Sequence, residues 1–290
     1  MPRESRIRSF DPARDVADVL RLINADRLKG QPLCTEDMLR EAVAGRSPVD
    51  GAYWQSFEKP ETVVMIRDQR PAGVLSYAFH REESSSYLLW VHGAEDPTTT
   101  SLLIDHFVAE SARVEKMHAF WIATALTSGL EALPIRHRPV AHSELLARGF
   151  ASLDLWRYMH IDTPLPKLEV LPEAVMEGGR DRDTWRIVVR EEGKEIGFVD
   201  AGSLFAGIGV IWFLWLDKAC RGRGLGRRLL GSALLQLQAR GVREVILYVD
   251  DDERGDERDR TAANRLYDSI GFQEIDRLVS YERQSSGNRV

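Results

Sequence analysis

Between Trp185 and Tyr281 the spacing of apolar residues changes period several times. Trp185 to Val189 and Glu195 to Asp200 are β-rich runs on either side of Glu191-Glu192-Gly193-Lys194, which predicts a hairpin. Gly207 to Leu216 is mostly apolar and predicts a long strand covered on both faces. Leu225, Leu229, Leu230, Ala233, Leu234 and Leu237 then recur at the helical period on one face. Gly241 stands where the residue after a helix C-cap belongs. Val245 to Val249 is the next strand. Thr261 can cap a short helix bearing Ala263, Leu266, Tyr267 and Ile270 on one face, ended by Gly271, and a last strand follows Phe272.

The first half repeats this order. Asp15 to Ala25 and Thr35 to Ala44 read as helices, and Thr62 to Ile66 with Ala72 to Phe79 as a hairpin around Asp68-Gln69-Arg70-Pro71. Tyr87 to Val91 is a strand, Leu102 to Val114 a helix, and Ala119 to Ala125 a strand. Ser143 to Arg148 is a short helix ended by Gly149-Phe150, with a strand from Leu153 to Ile161. Both halves close on a short helix, a Gly-Phe pair and a final strand, as diverged copies of one unit do. Thr163-Pro164-Leu165-Pro166-Lys167 reads as a linker, because two prolines cannot join a central ladder. The expected division is therefore 1–163 and 168–290. One difference stands out: the stretch from Val170 to Trp185 is short and holds Gly178-Gly179-Arg180-Asp181, so the second half has lost its leading helices.

Composition alters this picture little. A chain of 290 residues with 43% hydrophobic and 29% charged residues has room for one large or two modest cores. A net charge of -6 speaks against a nucleic-acid partner, which needs a broad cationic surface. No apolar run approaches the roughly 18 residues of a membrane span, and no signal-like segment opens the chain, so a cytoplasmic protein is expected. Cys34 and Cys220 are far apart and match no metal-ligand spacing; they read as free thiols, and no metal is expected.

The chemistry concentrates at Arg221-Gly222-Arg223-Gly224-Leu225-Gly226, between the apolar strand and its amphipathic helix. Backbone N–H groups converge at a helix N-terminus, where the macrodipole adds about half a positive charge. Glycines let the chain approach a phosphate closely. Arg221, Arg223, Arg227 and Arg228 around the loop would repel one another unless an anion sits among them. A dinucleotide fold competes for the motif, with Asp250 near the place of a ribose-binding acid. Against it, Asp217-Lys218-Ala219-Cys220 separates the strand from the glycines, and the spacing is not Gly-x-Gly-x-x-Gly. No Lys-Ser/Thr pair follows, so a Walker loop is excluded.

Arg221-x-x-Gly224-x-Gly226 after a strand, with Asn264-x-x-Tyr267 and Gly271-Phe272 downstream, resembles the GNAT superfamily of N-acetyltransferases. The likeness covers about Trp185 to Tyr281. The first half resembles the same fold more loosely. The resemblance implies an α/β protein of two tandem GNAT-like domains, each a mixed, mostly antiparallel sheet flanked by helices. It also implies acetyl-CoA as cosubstrate and a small primary amine as acceptor. On that analogy the backbone around Leu214 and Leu216 pairs with the pantetheine arm and supplies an oxyanion-hole N–H. Arg221, Gly222, Arg223, Gly224, Leu225, Gly226 and Arg227 hold the pyrophosphate. Asn264 bonds the pantetheine, and Tyr267 protonates the leaving thiolate. The plain alternatives are a core aromatic for Tyr267 and a local cap for Asn264.

Some positions depart from the GNAT pattern. Val210-Ile211-Trp212-Phe213-Leu214-Trp215 offers no carboxylate base, which leaves a water chain, Asp200 or a residue of the first half for that role. The loop approach carries Lys218 where proline is usual. Asp250 to Asp259 is an acidic insert, either a lure for a cationic acceptor or a solvated loop. In the first half His142 and Leu145 stand where Asn264 and Tyr267 are. The loop His92-Gly93-Ala94-Glu95-Asp96-Pro97-Thr98-Thr99-Thr100 has one glycine, two acids and no arginine. Such a loop repels pyrophosphate, so the first half is expected to bind no CoA and to lend a wall to the acceptor site; Tyr53, Trp54, Phe57, Trp90, Glu58, Glu82 and Glu83 are candidates. A non-catalytic acyl-CoA-binding protein of the same fold is the rival expectation.

Overall fold

A computed structural model describes residues 6–47, 51–126, 132–165, 167–178, 184–205, 207–250 and 261–285. The first half runs β1 (Arg6–Ser9), α1 (Pro12–Ala25), α2 (Glu36–Val43), β2 (Glu61–Arg67), β3 (Arg70–Phe79), β4 (Ser85–His92), α3 (Pro97–Glu110), β5 (Lys116–Ala119), β6 (Leu133–Pro134), α4 (Pro139–Ala147) and β7 (Ala151–Asp162). The second half runs β8 (Val175–Gly178), β9 (Thr184–Glu191), β10 (Lys194–Phe205), β11 (Ile208–Leu216), α5 (Leu225–Ala239), β12 (Glu244–Asp250), α6 (Thr261–Ile270) and β13 (Gln273–Gln284). Among the described residues no helix is long and apolar enough to cross a membrane. The fold is mixed α/β with mostly antiparallel pairing.

Packing groups the chain into two compact units: one of Met1–Arg27, Leu33–Leu155 and Asp276–Val290, the other of Leu28–Pro32 and Trp156–Ile275. The sequence division at 163 and 168 follows the chain; the units follow the packing, and each contains a piece of the other half. In the first unit the strand order is β1-β2-β3-β4-β5-β13, with β6 also on β13. Tyr281 lies opposite Ala119 and Gln284 opposite Lys116. In the second unit the order is β7-β12-β11-β10-β9-β8, with Trp156 to Asp162 of β7 antiparallel to Glu244 to Asp250 of β12.

A helix forms in each segment read as one, but α1 begins at Pro12 rather than Asp15 and α4 at Pro139 rather than Ser143, prolines that suit a first turn. Thr35 accepts from the Met38 N–H ahead of α2, and Leu229, Leu230, Ala233, Leu234 and Leu237 of α5 are fully buried. Gly241 has φ of 79°, the left-handed turn that ends α5. The leading region of the second half holds β8 and, among the described residues, no helix. Three further expectations are corrected. The strand read at 119–125 ends at Ala119, because Phe120 turns the backbone left-handed at φ 55°. The helix read at 102–114 starts at Pro97, whose fixed φ and missing N–H suit a first turn capped by Asp96. The strand read as covered on both faces is not, for Phe213 is 53% exposed beside half-buried Trp212 and Trp215.

The two halves share a detail that apolar spacing does not reveal. β3 and β4 slip register between Ser76 and Tyr77, so Leu89 is an extra residue. β10 and β11 slip between Asp200 and Ala201, so Trp212 is extra. A bulge twists and bends a strand. In both halves it sits on the strand beside a parallel partner.

Candidate active site

The parallel ladder between β11 and β12 is short. It joins Ile208 to Glu244, Gly209 to Val245 and Val210 to Ile246, then stops, while β11 runs on to Leu216 along β10. From Ile211 onward one backbone edge of β11 therefore faces no strand among the described residues. Leu214 and Leu216 lie on this open stretch. A bare edge is a template for an extended ligand that can pair with amides.

The glycine loop follows directly. A short 3₁₀ turn, Lys218–Cys220, is capped by Asp217, which accepts from the Ala219 N–H at 3.0 Å. Gly222 and Gly224 have φ of 77° and 74°, and a Cβ at either would meet nothing within 4 Å. The glycines are thus required by backbone conformation rather than by crowding. Gly224 is the N-cap of α5 and no side chain caps the helix. Leu225, Gly226 and Arg227 open the first turn, whose N–H groups have no intrahelical acceptor. This is the arrangement that binds phosphate oxygens.

The arginines are placed less simply than the sequence suggests. Arg221 donates to the Leu216 carbonyl at 3.3 Å, and Arg223 leans on Glu191 at 3.2 Å. Arg227 reaches Glu169 at 3.2 Å and the Ser269 hydroxyl at 2.8 Å, and Arg228 donates to the Val170 carbonyl at 3.3 Å. The argument from unrelieved repulsion is therefore corrected: each guanidinium has a partner without an anion. The backbone, rather than the four charges, is what the loop leaves unsatisfied. The pairs of Arg223 and Arg227 are exposed, and such pairs are worth little and exchange readily.

α6 supplies the remaining residues. Tyr267 is 7% exposed, meets Phe272 edge-on at 5.9 Å, and its phenol is pushed up to about 12 by burial. It thus stays protonated near neutral pH, the state an acid needs. It also belongs to the core cluster around α5, as the packing alternative for this residue expects. Asn264 is 6% exposed and engaged at both ends: its Oδ1 accepts from Arg157 at 2.8 Å and its Nδ2 donates to the Asp250 carbonyl at 3.2 Å. That is the structural reading of Asn264. Asp200 is paired with Arg186 through two bonds of 2.7 Å, one to each carboxylate oxygen. The acidic insert lies, from 251 on, outside the described residues.

At the matching place in the first half, side chains of that half engage the strand and the helix starts. The β4–β5 ladder ends at Leu88 and Ala119 while β4 continues to His92. Beyond that point Arg138, 2% exposed, donates to the Val91 carbonyl at 2.9 Å and pairs with Glu95 at 2.6 Å and Asp26 at 3.1 Å. Glu95 also accepts from the Val140 N–H at 2.7 Å, and Asp96 accepts from the Thr99 N–H at 2.8 Å. His142 bonds the Tyr281 hydroxyl at 2.6 Å, and Leu145 is fully buried. Sequence reasoning missed Arg138 and Arg157. For Arg157 the signal was an arginine on the face Leu155-x-Arg157-x-Met159-x-Ile161 of an otherwise apolar row.

Residues 182–274 match the family described as acetyltransferase (GNAT) domain. A mycothiol acetyltransferase of Thermobispora bispora is 30% identical over 197 residues, covering 49% of this chain and 64% of the relative. Another, from Thermobifida fusca, is 26% identical and covers 67% of this chain and 64% of its own length. The chain thus spans less than two thirds of these curated relatives. Among solved structures, a GCN5-related N-acetyltransferase from Sphaerobacter thermophilus superposes with a TM-score of 0.61 at 18% identity, covering 97% of this chain and 96% of the other. A tandem GNAT protein from the clavulanic acid biosynthesis pathway gives 0.59 at 12% identity, covering 98% and 100%. Residues 182–274 thus resemble a GNAT acetyltransferase domain, and the whole chain shares the fold of a tandem GNAT protein.

Proposed function

We propose that this protein is an acetyl-CoA-dependent N-acetyltransferase of the cytoplasm, with one active site, in the second half of the chain, and a small primary amine as acceptor. The observation that carries the reading is the uncapped N-terminus of α5, with Gly222 and Gly224 left-handed before it, next to the open edge of β11. Pyrophosphate fits the first and an extended pantetheine arm the second. The acceptor reacts as a free amine, its ammonium proton having passed to water. Nitrogen attacks the thioester carbonyl, the developing oxyanion is held by a β11 N–H, and the C–S bond breaks. The attacking nitrogen, cationic once bonded to carbon, releases its extra proton to water; Tyr267 gives its phenolic proton to the departing thiolate and regains one from that water.

Amine-dependent release of free thiol from acetyl-CoA, over a panel of amines, tests this directly. The name shared by the relatives puts the acceptor of the mycothiol acetyltransferases in that panel. Replacing Tyr267 with phenylalanine is expected to lower turnover about 100-fold, within the range of a lost general acid, while affinity for acetyl-CoA holds within about twofold. Equal turnover would remove the acid role. The second reading, a non-catalytic acyl-CoA-binding protein, is favoured by Asp200 being locked to Arg186 and by the absence of a carboxylate from Val210 to Trp215. Tight acetyl-CoA binding without thiol release for any amine would establish it.

A further inference from the structure

Arg157 lies on β7 opposite Val249 of β12, on the side of the sheet that also carries Met159, Ile161, Val245 and Leu247 into the core around α5. An arginine there is costly unless its donors are met, and its side chain is only 14% exposed. They are met three times. Nε pairs with Glu274 at 2.6 Å at the start of β13, Nη1 donates to Asn264 Oδ1 at 2.8 Å, and Nη2 pairs with Asp268 at 2.9 Å. Asn264 and Asp268 are one turn apart on α6, so a single planar guanidinium grips the helix at two levels and the following strand at a third. Tyr267 is the residue beside Asp268, turned inward.

We infer that Arg157, partly through its bond to Asn264, sets the rotation and depth of α6, and is thereby a positioning residue for Tyr267 in the reaction proposed above. The inference rests on that reading for its kinetic consequence and on geometry alone for its structural one. It gives the first half a part in the chemistry without a second active site: β7, the last strand of that half, brings the clamp to the helix that bears the acid. Other ties on α6 do not replace it. Arg227 holds Ser269 from an exposed position, and the Asn264 bond to the Asp250 carbonyl constrains only the first turn.

The test uses the full chain with Arg157→Met and Arg157→Lys, each alone and combined with Tyr267→Phe. Amide hydrogen exchange over 261–270 should quicken about tenfold in Arg157→Met while 225–239 keeps its protection. Arg157→Lys, which keeps the charge but lacks the fork, should lie between. Turnover should fall about tenfold in Arg157→Met and fall no further when Tyr267 is already phenylalanine, because the two changes disable one function. Unchanged exchange on α6, or equal fold losses with and without the Tyr267 hydroxyl, would overturn the inference. Should Arg157→Met not fold, Arg157→Lys carries both readouts. A wild-type protein that releases no thiol with any amine overturns the proposed function instead, and exchange on α6 then decides the role of Arg157.

Discussion

α3 and α5 occupy matching places in the two halves, and their N-termini differ. Ahead of α3 stand Glu95, Asp96 and Pro97: Asp96 caps the helix, and Glu95 reaches across to cap α4 and hold Arg138. Ahead of α5 stand Gly222, Arg223 and Gly224, and no side chain caps it. The backbone edges beside them differ in the same sense. The carbonyl of Val91 on β4 receives the Arg138 guanidinium, whereas β11 beyond Val210 faces no strand among the described residues. One half meets from within, with side chains, what the other leaves without a strand or a side-chain cap among the described residues. The difference teaches that a site can be closed by side chains without any change of backbone plan, for the bulge and the short parallel ladder are present in both.

The largest expected effect tests the closed side. Replacing Arg138 with leucine leaves Asp26 and Glu95 without their cation in a buried setting, which should cost about 3–5 kcal/mol of stability in denaturant unfolding. Acetyl-CoA stoichiometry should remain one per chain. A gain of a second binding event would show that Arg138 alone had blocked the first half; a loss of well under 1 kcal/mol would show that the plug is not structural.

The next effect tests the open side. Aspartate tolerates the left-handed backbone better than most residues, so Gly224→Asp should keep the loop's shape while setting a carboxylate where α3 has its own. Acetyl-CoA affinity is expected to fall about 100-fold by calorimetry, with thermal stability little changed, since an anion at a helix N-terminus is itself favourable. Unaltered affinity would remove the loop from pyrophosphate binding and break the comparison.

The smallest effect is the cap of α3. Hydrogen bonds from Thr99 and Arg67 hold the Asp96 carboxyl down at about 2. A lowered folded pKa means that its contribution is present above the unfolded value near 3.8 and is lost as pH falls through about 2. Asp96→Ala should cost about 1 kcal/mol at neutral pH and flatten the acid limb of the stability curve between about pH 4 and 2. An acid limb of unchanged slope would assign that loss to other carboxylates.

Much of this was legible beforehand. The caps, the apolar face of α5 and the glycine loop are local, so their spacing alone predicts them. The contrast between Arg221–Gly226 and Glu95–Pro97 was visible for the same reason, as charge and chain freedom are properties of residue types. What charges do once placed was not visible. Four arginines read as an anion trap, yet Glu169, Glu191, Ser269 and two carbonyls engage them. Asn264 read as a ligand contact or a local cap, and neither reading foresaw its bond to Arg157, 107 positions away in sequence.

The sequence by itself determined the repeated element order, the glycine loop ahead of α5 and the resemblance to GNAT enzymes, because helix periods, turn glycines and caps act over a few residues. Only the tertiary structure decided that each compact unit takes in a strand from the other half, that buried Arg138 bonds the Val91 carbonyl of β4, and that Arg157 bonds α6 at two levels. Those depend on which distant strands pair and which buried donors find acceptors, and no local spacing encodes either.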